Sequence, residues 1–211
     1  MELLILSDHD TVQGSLDAAE KIKSRGLNII CPPAAEYKTE FGDIILVGFP
    51  DDLENHNFEN LVKVSHDNNC KLLFPHPYHD HKNIEYMASK VDFIEVFNSR
   101  NSLLENKKAL ELAETAKKST YASPDAHLLS EYKNCIVEYD VDKVISWHEI
   151  LNHEWCFHTK VSTSLCNIYK SAFIKSLKSK SIVGFIKSSI KICVFCSFIK
   201  NIGSVKKRLT K

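Results

Sequence analysis

The stretch Ser119-Thr-Tyr-Ala-Ser-Pro-Asp-Ala-His127 joins a short apolar run to an acid and an imidazole two residues apart. Asp125 and His127 follow the point where the predicted strand should stop. This spacing allows two metal ligands to leave one loop and reach one site. The pair alone carries little weight, because a carboxylate in a loop is usually just solvated. Its meaning depends on how the other predicted strands end.

Four further strand-like runs end in, or are soon followed by, a polar side chain of the same kind. They are His9 after Leu3–Leu6, Glu36 after Asn28–Cys31, His76 after Lys71–Pro75, and Asn98 after Phe93–Phe97. In an α/β barrel, ligands and catalytic groups gather at the carboxyl ends of the strands. Five such ends in one chain predict a single polar site.

Strand-like runs alternate with amphipathic helices along most of the chain, which predicts βα units and a parallel sheet or barrel. Ser102 and Glu105 predict a capping box at the start of one of these helices. The strand pattern stops after His153, and residues 170–211 have the pattern of basic helices. We therefore predict an α/β domain over residues 1–154 and a basic helical extension over residues 155–211. Seven strands are predicted, at residues 3–6, 28–31, 43–49, 71–74, 91–97, 120–123 and 134–139.

Length and composition are those of a soluble globular protein, with 211 residues, 44% of them hydrophobic and 26% charged. Seven cysteines without disulfide-like spacing, and no visible signal peptide, predict reduced thiols in the cytoplasm. The lone motif Cys193-Val-Phe-Cys196 is interpreted as buried thiols, since no second pair accompanies it. There is no glycine-rich phosphate loop and no internal repeat.

Charge is distributed unevenly, although the net charge is zero. All 27 acidic side chains lie in residues 1–154, whereas residues 155–211 carry 12 basic ones, so a body of −12 precedes a tail of +12. Three partners for the tail stay open: the acidic body itself, an anionic membrane surface, and nucleic-acid phosphates. We favour packing on the body. Lys187 and Lys191 argue against a membrane-spanning helix over residues 181–199.

The candidate ligands mix imidazoles with carboxylates, a set that suits zinc, manganese or iron better than calcium. A carboxylate such as Glu36 can bridge two ions. Two metals roughly 3.5–4 Å apart activate a water and neutralise the charge that develops in phosphoryl transfer. No serine–histidine–acid or cysteine–histidine order stands out, so hydrolysis by metal-activated water is the expected chemistry. The candidates are His9, Glu36, His76, Asp125 and His127.

Each candidate also has a plainer interpretation. His9 could mark a helix entry and Glu36 could be a solvated loop acid. His79 and His81 belong either to substrate contact or to the surface. Arg100 either binds phosphate, caps a helix or pairs with an acid. The remaining histidines are expected at the surface or partly buried.

Several ordered motifs resemble those of the PHP (polymerase and histidinol phosphatase) superfamily, over roughly residues 3–145. They are Ser7-Asp-His-Asp-Thr-Val12, Ala35-Glu36, Pro75-His-Pro77, Ile94-Glu-Val-Phe-Asn-Ser-Arg100 and Asp125-Ala-His-Leu-Leu-Ser-Glu131. The resemblance implies a distorted seven-stranded α/β barrel with up to three metal ions at the strand ends. Members are metal-dependent phosphoesterases that act on nucleotides, nucleic acid or histidinol phosphate, and some have lost activity.

The resemblance also assigns roles to individual residues. His9 is similar to the histidine that binds the third metal, Glu36 to the bridging glutamate, and His76 to the histidine on the second metal. Asp125 and His127 resemble the closing aspartate and histidine. The implied catalytic residues are Glu36, His76 and Asp125, and the implied substrate contacts are Arg100, His79 and His81.

The sequence departs from the family pattern at three places. Members open with a strand that ends in His-x-His, and this sequence starts after the corresponding point. Many members have a histidine about eleven residues after the glutamate, whereas no imidazole occurs near Asp43. Asp43 and Glu40 are candidate substitutes for it, but we do not favour either. Pro124 stands where Gly-Ser usually precedes the aspartate. We therefore expect a barrel without its first strand and fewer metals, as in a fragment or a degenerate paralogue.

Two functional hypotheses follow. The first is a metal-dependent phosphoesterase whose substrate is a nucleotide, nucleic acid or small phosphomonoester. The second is a binding or regulatory domain that keeps the fold without full catalysis. No partner protein is evident from the sequence.

Overall fold

The computed structural model describes residues 2–141, 146–178, 186–189 and 191. The strands are β1 Glu2–Leu3, β2 Asp8–His9, β3 Ile29–Ile30, β4 Ala34–Lys38, β5 Asp43–Val47, β6 Lys71–Phe74, β7 Phe93–Asn98, β8 Ser119–Ser123, β9 Cys135–Tyr139 and β10 Trp155–Lys160. The helices are α1 Gln13–Ser24, α2 Phe58–Asp67, α3 Ile84–Lys90, α4 Leu103–Ala116, α5 Trp147–Leu151 and α6 Leu165–Lys178, with a 3-10 helix at Leu129–Asn134.

A six-stranded mixed sheet forms the centre, in the order β2-β4-β5-β6-β7-β8. The pairs β2–β4, β6–β7 and β7–β8 are parallel, and β5 is antiparallel to both its neighbours. A short parallel pair, β1–β3, and an antiparallel pair, β9–β10, form separate sheets. The fold is therefore mixed α/β with a mostly parallel central sheet. Within the described part of the chain, hydrogen bonds do not join β8 to β2.

The central sheet has two buried faces. One faces the helices and carries Tyr37, Leu46 and Ile94 among its buried side chains. The other, here called the inner face, is apolar at one end, where Leu73 and Phe93 pack with residues of β1, β9 and α5. Because side chains alternate along a strand, an acid in an inner-face position is carried into the interior with its apolar neighbours.

Two strands of the sheet, β2 and β4, were absent from the prediction, and of the predicted first strand at residues 3–6 only Leu3 lies in a strand, β1. Residues 34–38 were expected to form a connection, but they form β4, which pairs antiparallel with β5. Pro32 and Pro33 end the preceding short strand, and the alternation after them is hidden because Ala34 and Ala35 are both apolar and fully buried. Glu36 consequently lies inside a strand and does not follow one.

The predicted helical extension begins instead with a strand. Trp155–Lys160 pairs antiparallel with β9, and its side chains alternate between half-buried and exposed positions. The sequence Trp155-Cys-Phe-His-Thr-Lys160 alternates only weakly between apolar and polar residues, so this strand was not predicted. The predicted division at residue 154 thus runs between two paired strands. The helix α6 follows within the basic segment.

The predicted capping box at the start of α4 is confirmed. The side chain of Ser102 accepts from the backbone N–H of Glu105 at 3.2 Å, and the Glu105 carboxylate accepts from the backbone N–H of Ser102 at 2.7 Å. Both bonds satisfy donors that the first helical turn would otherwise leave unpaired. This fixes α4 directly after β7, beside the candidate site.

None of the described helices has the length and apolar content needed to cross a bilayer. Most of the apolar segment 181–199, including Cys193 and Cys196, lies outside the described residues.

Candidate metal centre

Glu36 lies between two imidazoles on the inner face of the sheet. Its Oε2 atom is 3.5 Å from Nδ1 of His9, and its Oε1 atom is 3.3 Å from Nε2 of His76. The parallel pairing of β2 with β4 sets His9 directly beside Glu36. The side chains of Glu36 and His76 are mostly buried, whereas that of His9 is 52% exposed. The site therefore opens to solvent on the His9 side.

Asp125 and His127 form a second part of the site on the loop after β8. The His127 Nδ1 atom lies 3.3 Å from the Asp125 Oδ1 atom. The other carboxylate oxygen of Asp125 accepts from the side-chain amide of Asn98 at 3.2 Å. Asp125 and His127 are thus neighbours, and Asn98 links Asp125 to the end of β7.

Glu95 connects the two parts, and the sequence analysis did not single it out. It lies in the middle of β7 and is only 2% exposed. Its carboxylate accepts from the backbone N–H of His76 at 2.7 Å, from Asn98 Nδ2 at 3.0 Å and from the Ser123 hydroxyl at 2.5 Å. An acid flanked by buried apolar residues in a strand was the available signal, since such a side chain is almost never buried without partners.

The backbone is in the left-handed region at both His76, with φ 31°, and Asp125, with φ 46°. For residues with a side chain this conformation costs on the order of 1–3 kcal/mol, and such residues cluster at functional sites. Two contacts hold them there: Glu95 accepts from the His76 N–H, and the Ser123 hydroxyl accepts from the Asp125 N–H at 3.2 Å. Two of the predicted ligands at this end of the sheet therefore have strained backbone conformations.

Mutual charge effects shift the pKa of each buried group. Burial acts to raise the pKa of Glu36, but its hydrogen bond to His76 and the nearby imidazoles lower it overall. Burial acts to lower the pKa of His76, but the carboxylates of Glu36, Glu95 and Asp125 raise it to about 9. Burial raises the pKa of Glu95 to about 7 and also raises that of Asp125. Burial thus favours the protonated form of Glu95 and Asp125, whereas the imidazoles favour the ionised form of Glu36.

Arg100, an expected substrate contact, is engaged elsewhere. Its Nη1 atom donates to both carboxylate oxygens of Glu131, at 3.2 and 3.0 Å, and its Nη2 atom donates to the Ser171 hydroxyl at 2.8 Å. The Glu131 side chain is fully buried and also accepts from the backbone N–H groups of His127 and Leu128. Of the interpretations left open for Arg100, the structure displays the pairing with an acid.

The two further histidines differ in their surroundings. His81 is tied to backbone: its Nδ1 atom is 2.7 Å from the carbonyl oxygen of His79, and its Nε2 atom is 3.0 Å from that of Asp43. Its ring packs edge-on against Phe74. The side chain of His79 is 62% exposed at the rim. Of this pair, His79 is the more exposed, and its Nε2 and Nδ1 atoms lie 3.8 Å from Asp80 Oδ2 and 3.9 Å from Glu105 Oε1.

The two carboxylates near the expected second histidine have separate roles. Glu40 accepts from the backbone N–H of Phe58 at 3.0 Å, at the start of α2. Asp43 instead lies beside the site, and one ligand atom each from Glu36, Asp43 and His76 fall within 4.8 Å of one another.

These side chains fit a divalent transition metal. The buried Nδ1 atom of His76 has no hydrogen-bond partner, an uncommon condition for a buried polar atom. The other nitrogen of this ring lies 3.3 Å from Glu36 Oε1, and the rings of His79 and His81 pack against it. Carboxylates and imidazoles are donors that zinc, manganese and iron accept. Three imidazole–carboxylate contacts, His9–Glu36, His76–Glu36 and His127–Asp125, join the five predicted ligands.

Comparison with known proteins shows a shared fold. No protein-family model matches the chain, and no curated protein matches it. The structure is similar to the crystal structure of PsfC from Pseudomonas syringae PB-5123, with a TM-score of 0.56 and 15% sequence identity. The likeness covers 85% of this chain and 84% of that chain. At this level of identity it concerns the fold alone.

Proposed function

We propose that this protein is a metal-dependent phosphoesterase of the PHP type. The observation that carries the proposal is that five potential ligands, distant in sequence, form two contacting groups linked by hydrogen bonds at one end of the sheet. His9 and His76 flank Glu36, and Asp125 and His127 adjoin through Asn98 and Glu95. We further propose that the central sheet with its flanking strands is a distorted PHP-type barrel.

In this proposal His9, Glu36 and His76 hold metal on one side, and Asp125 and His127 hold it on the other. A bound metal supplies a Lewis acid and an activated water for attack on phosphorus. The chain itself contributes a carboxylate, Glu36, kept ionised by its imidazole neighbours. Asp125, whose pKa burial raises, would accept the proton that the attacking water loses.

The proposed substrate is a phosphate ester, and three classes stay open: nucleotides, nucleic acid and small phosphomonoesters. Exposed His79 at the rim is the proposed substrate contact, since Arg100 and His81 are occupied by protein groups. Pocket shape around the site decides among the three classes, because a fold by itself does not specify a substrate.

Hydrolysis of an aryl phosphate by the purified full chain, supplemented in turn with Mn²⁺, Zn²⁺ and Fe²⁺, tests the proposal. We expect metal-dependent turnover that Glu36→Gln reduces at least about 100-fold, since one ligand between two imidazoles is lost. Glu20→Gln, an exposed acid on α1, is the matched control and should leave turnover unchanged. If the folded, metal-loaded chain hydrolyses neither the aryl phosphate nor any of the three proposed classes of phosphate ester, the enzyme proposal is contradicted.

The second candidate is a catalytically degenerate PHP-fold binding or regulatory domain. It is favoured by the engagement of Arg100 with Glu131 and of both His81 nitrogens with carbonyl oxygens, which removes two of three expected substrate contacts. Calorimetric titration with a non-hydrolysable phosphonate distinguishes the two. Binding without turnover of the matching ester supports this candidate.

For the basic tail we propose packing on the acidic body. Support comes from the part of the tail that lies within the described residues, where Thr163 donates its N–H to Ser99 O at 2.6 Å and Ser171 accepts from Arg100. Contact with an anionic membrane surface or with nucleic acid is the alternative for the basic side chains farther along. We propose a cytoplasmic location on the cysteine pattern alone.

A further inference from the structure

A three-residue cluster at the start of β5 includes one acid that the family resemblance does not assign. Ligand atoms of Glu36, Asp43 and His76 lie within 4.8 Å of one another. The donors around one cation with bonds near 2.1 Å lie roughly 3–4.2 Å apart. A small movement of flexible carboxylates therefore brings all three donors to one ion.

Strand register places Glu36 and Asp43 on the same face of the sheet. In the β4–β5 pair, Glu36 is opposite Ile45 and Asp43 is opposite Lys38, so the two acids occupy a diagonal position. Diagonal neighbours across a pair of strands are within reach of side chains of this length. The short connection between the strands thus supplies two ligands from one hairpin.

The hairpin is held rigidly at Asp43. The backbone N–H of Thr39 donates to Gly42 O at 2.9 Å across the turn. The ring of His81 then packs over Gly42, where a Cβ atom would lie 2.1 Å from the ring, and its Nε2 atom contacts Asp43 O. Gly42 also has φ 136°, which side chains rarely adopt. Glycine is therefore required for the imidazole to fix the backbone of Asp43.

Some polar side-chain atoms of this cluster have no hydrogen-bond partner among the described residues. The Nδ1 atom of His76 is buried without a hydrogen-bond partner. Within the described residues, the Asp43 carboxylate makes no hydrogen bond or salt bridge of its own, and only its backbone oxygen is bonded. Buried polar atoms are nearly always satisfied, so the unpaired Nδ1 atom of His76 supports a ligand at this ring, and the half-buried Asp43 carboxylate has no competing partner among the described side chains.

We propose that Asp43 is a metal ligand that completes a cation site with Glu36 and His76, and that this site is biased toward Mn²⁺. The inference deepens the proposed phosphoesterase function and rests on it for the metal at Glu36. Two carboxylates and one imidazole form a harder donor set than one rich in histidine. Carboxylates suit manganese, whereas imidazoles suit zinc.

The test measures the dissociation constants of Mn²⁺ and Zn²⁺ separately for the intact chain, by electron paramagnetic resonance of free Mn²⁺ and by competition with a zinc chelator. Zn²⁺ binds N/O sites more tightly in absolute terms, so the ratio of the two constants is the readout. Asp43→Asn should weaken Mn²⁺ at least about tenfold and Zn²⁺ less. Asp43→His should shift the ratio at least about tenfold toward Zn²⁺.

Asp80→Asn is the matched control, since Asp80 lies on the same rim with its side chain 93% exposed. This substitution should leave the dissociation constants of Mn²⁺ and Zn²⁺ within about twofold of those of the unmodified chain. The His variant also guards against misfolding, because a merely structural Asp43 would not change the selectivity between two ions. Unchanged Mn²⁺ affinity in Asp43→Asn overturns the inference. If Glu36→Gln still abolishes binding and turnover, the proposed function survives that failure.

Discussion

At the scale of single residues, Glu95 is the group on which the site depends. Its carboxylate accepts from the His76 N–H and from Asn98 and Ser123, and both of these side chains also hydrogen-bond Asp125. A buried carboxylate that accepts three hydrogen bonds orients its donors strongly, because each would be costly to leave unpaired. Its role in our interpretation is to position ligands.

Glu95→Ala should therefore lower both stability and metal affinity. Three orphaned donors and a cavity predict a loss of about 3 kcal/mol in the free energy of unfolding. Loss of His76 orientation predicts metal binding weaker by about 10–100-fold. Urea denaturation and Mn²⁺ titration measure the two effects. Glu138→Ala, an exposed strand acid on β9, is the control and should change stability by less than about 0.5 kcal/mol.

The metal-free protein should lose stability as the pH rises from 6 to 9. In the folded state the pKa of Glu95 is about 7 against an ordinary 4.5, and that of His76 is about 9 against 6.5. The folded state therefore binds more protons than the unfolded state across this range, so stability falls with rising pH. The expected change is on the order of 2 kcal/mol.

Urea denaturation in the presence of a chelator, at pH 6.0, 7.5 and 9.0, measures this dependence. Glu95→Gln should reduce the fall in stability at the lower end of this pH range, because the amide does not titrate. The lowered pKa of Glu36 acts in the opposite sense, and its contribution disappears only as the pH falls through and below the ordinary value of 4.5. A free energy of unfolding that rises between pH 6 and 9 would contradict the raised pKa values of Glu95 and His76.

At the scale of elements, the loop from Asp125 to the 3-10 helix is anchored by an ion pair. The Glu131 carboxylate is fully buried and receives Arg100 together with the N–H groups of His127 and Leu128. The same arginine reaches Ser171 on α6. Two elements that follow the sheet are thus joined to the end of β7 by one guanidinium.

Arg100→Ala should destabilise the protein strongly. Removing one partner leaves a buried charge without compensation, for which about 3–5 kcal/mol is typical. Lys107→Ala is the comparison, since Lys107 and Glu111 form an exposed pair worth about 0.5 kcal/mol or less. Thermal denaturation of both variants gives the difference. Equal effects would mean that the buried Arg100–Glu131 pair contributes no more to stability than the exposed one.

At the scale of the whole molecule, the basic tail begins as part of the structure. β10 pairs with β9, and Thr163 bonds to Ser99 through both its N–H and its hydroxyl, the latter at 2.7 Å. These contacts lie within the +12 segment beside a body of −12. Charge complementarity between the two parts favours their association, and added salt should weaken it.

Deletion of residues 160–211 should expose apolar surface and reduce solubility and stability. Deletion of residues 192–211 is the matched control, because it keeps every described contact of the tail. We expect the first truncation to aggregate in sedimentation and the second to remain monomeric. If instead the longer truncation stays stable and monomeric, and only the full chain sediments with anionic liposomes, the membrane alternative replaces packing.

The sequence by itself determined the features that are local. A capping box depends on residues three apart, and both Ser102 and Glu105 can be read directly. The donor types at the strand ends are likewise visible, as His9, His76 and Asp125 show. These features also led to the mixed α/β class, because alternating strand and helix patterns are short-range signals.

Only the tertiary structure decided which distant groups meet. β4 and β10 owe their assignment to partner strands, since the alternation of Ala34–Lys38 and Trp155–Lys160 is too weak to distinguish strand from connection alone. The burial of Glu95, the engagement of Arg100 with Glu131 and the place of Asp43 beside Glu36 all depend on register and loop closure. Such contacts join residues 7 to 31 positions apart in the chain. Composition and periodicity do not encode those distances, because they are fixed by packing of the whole sheet.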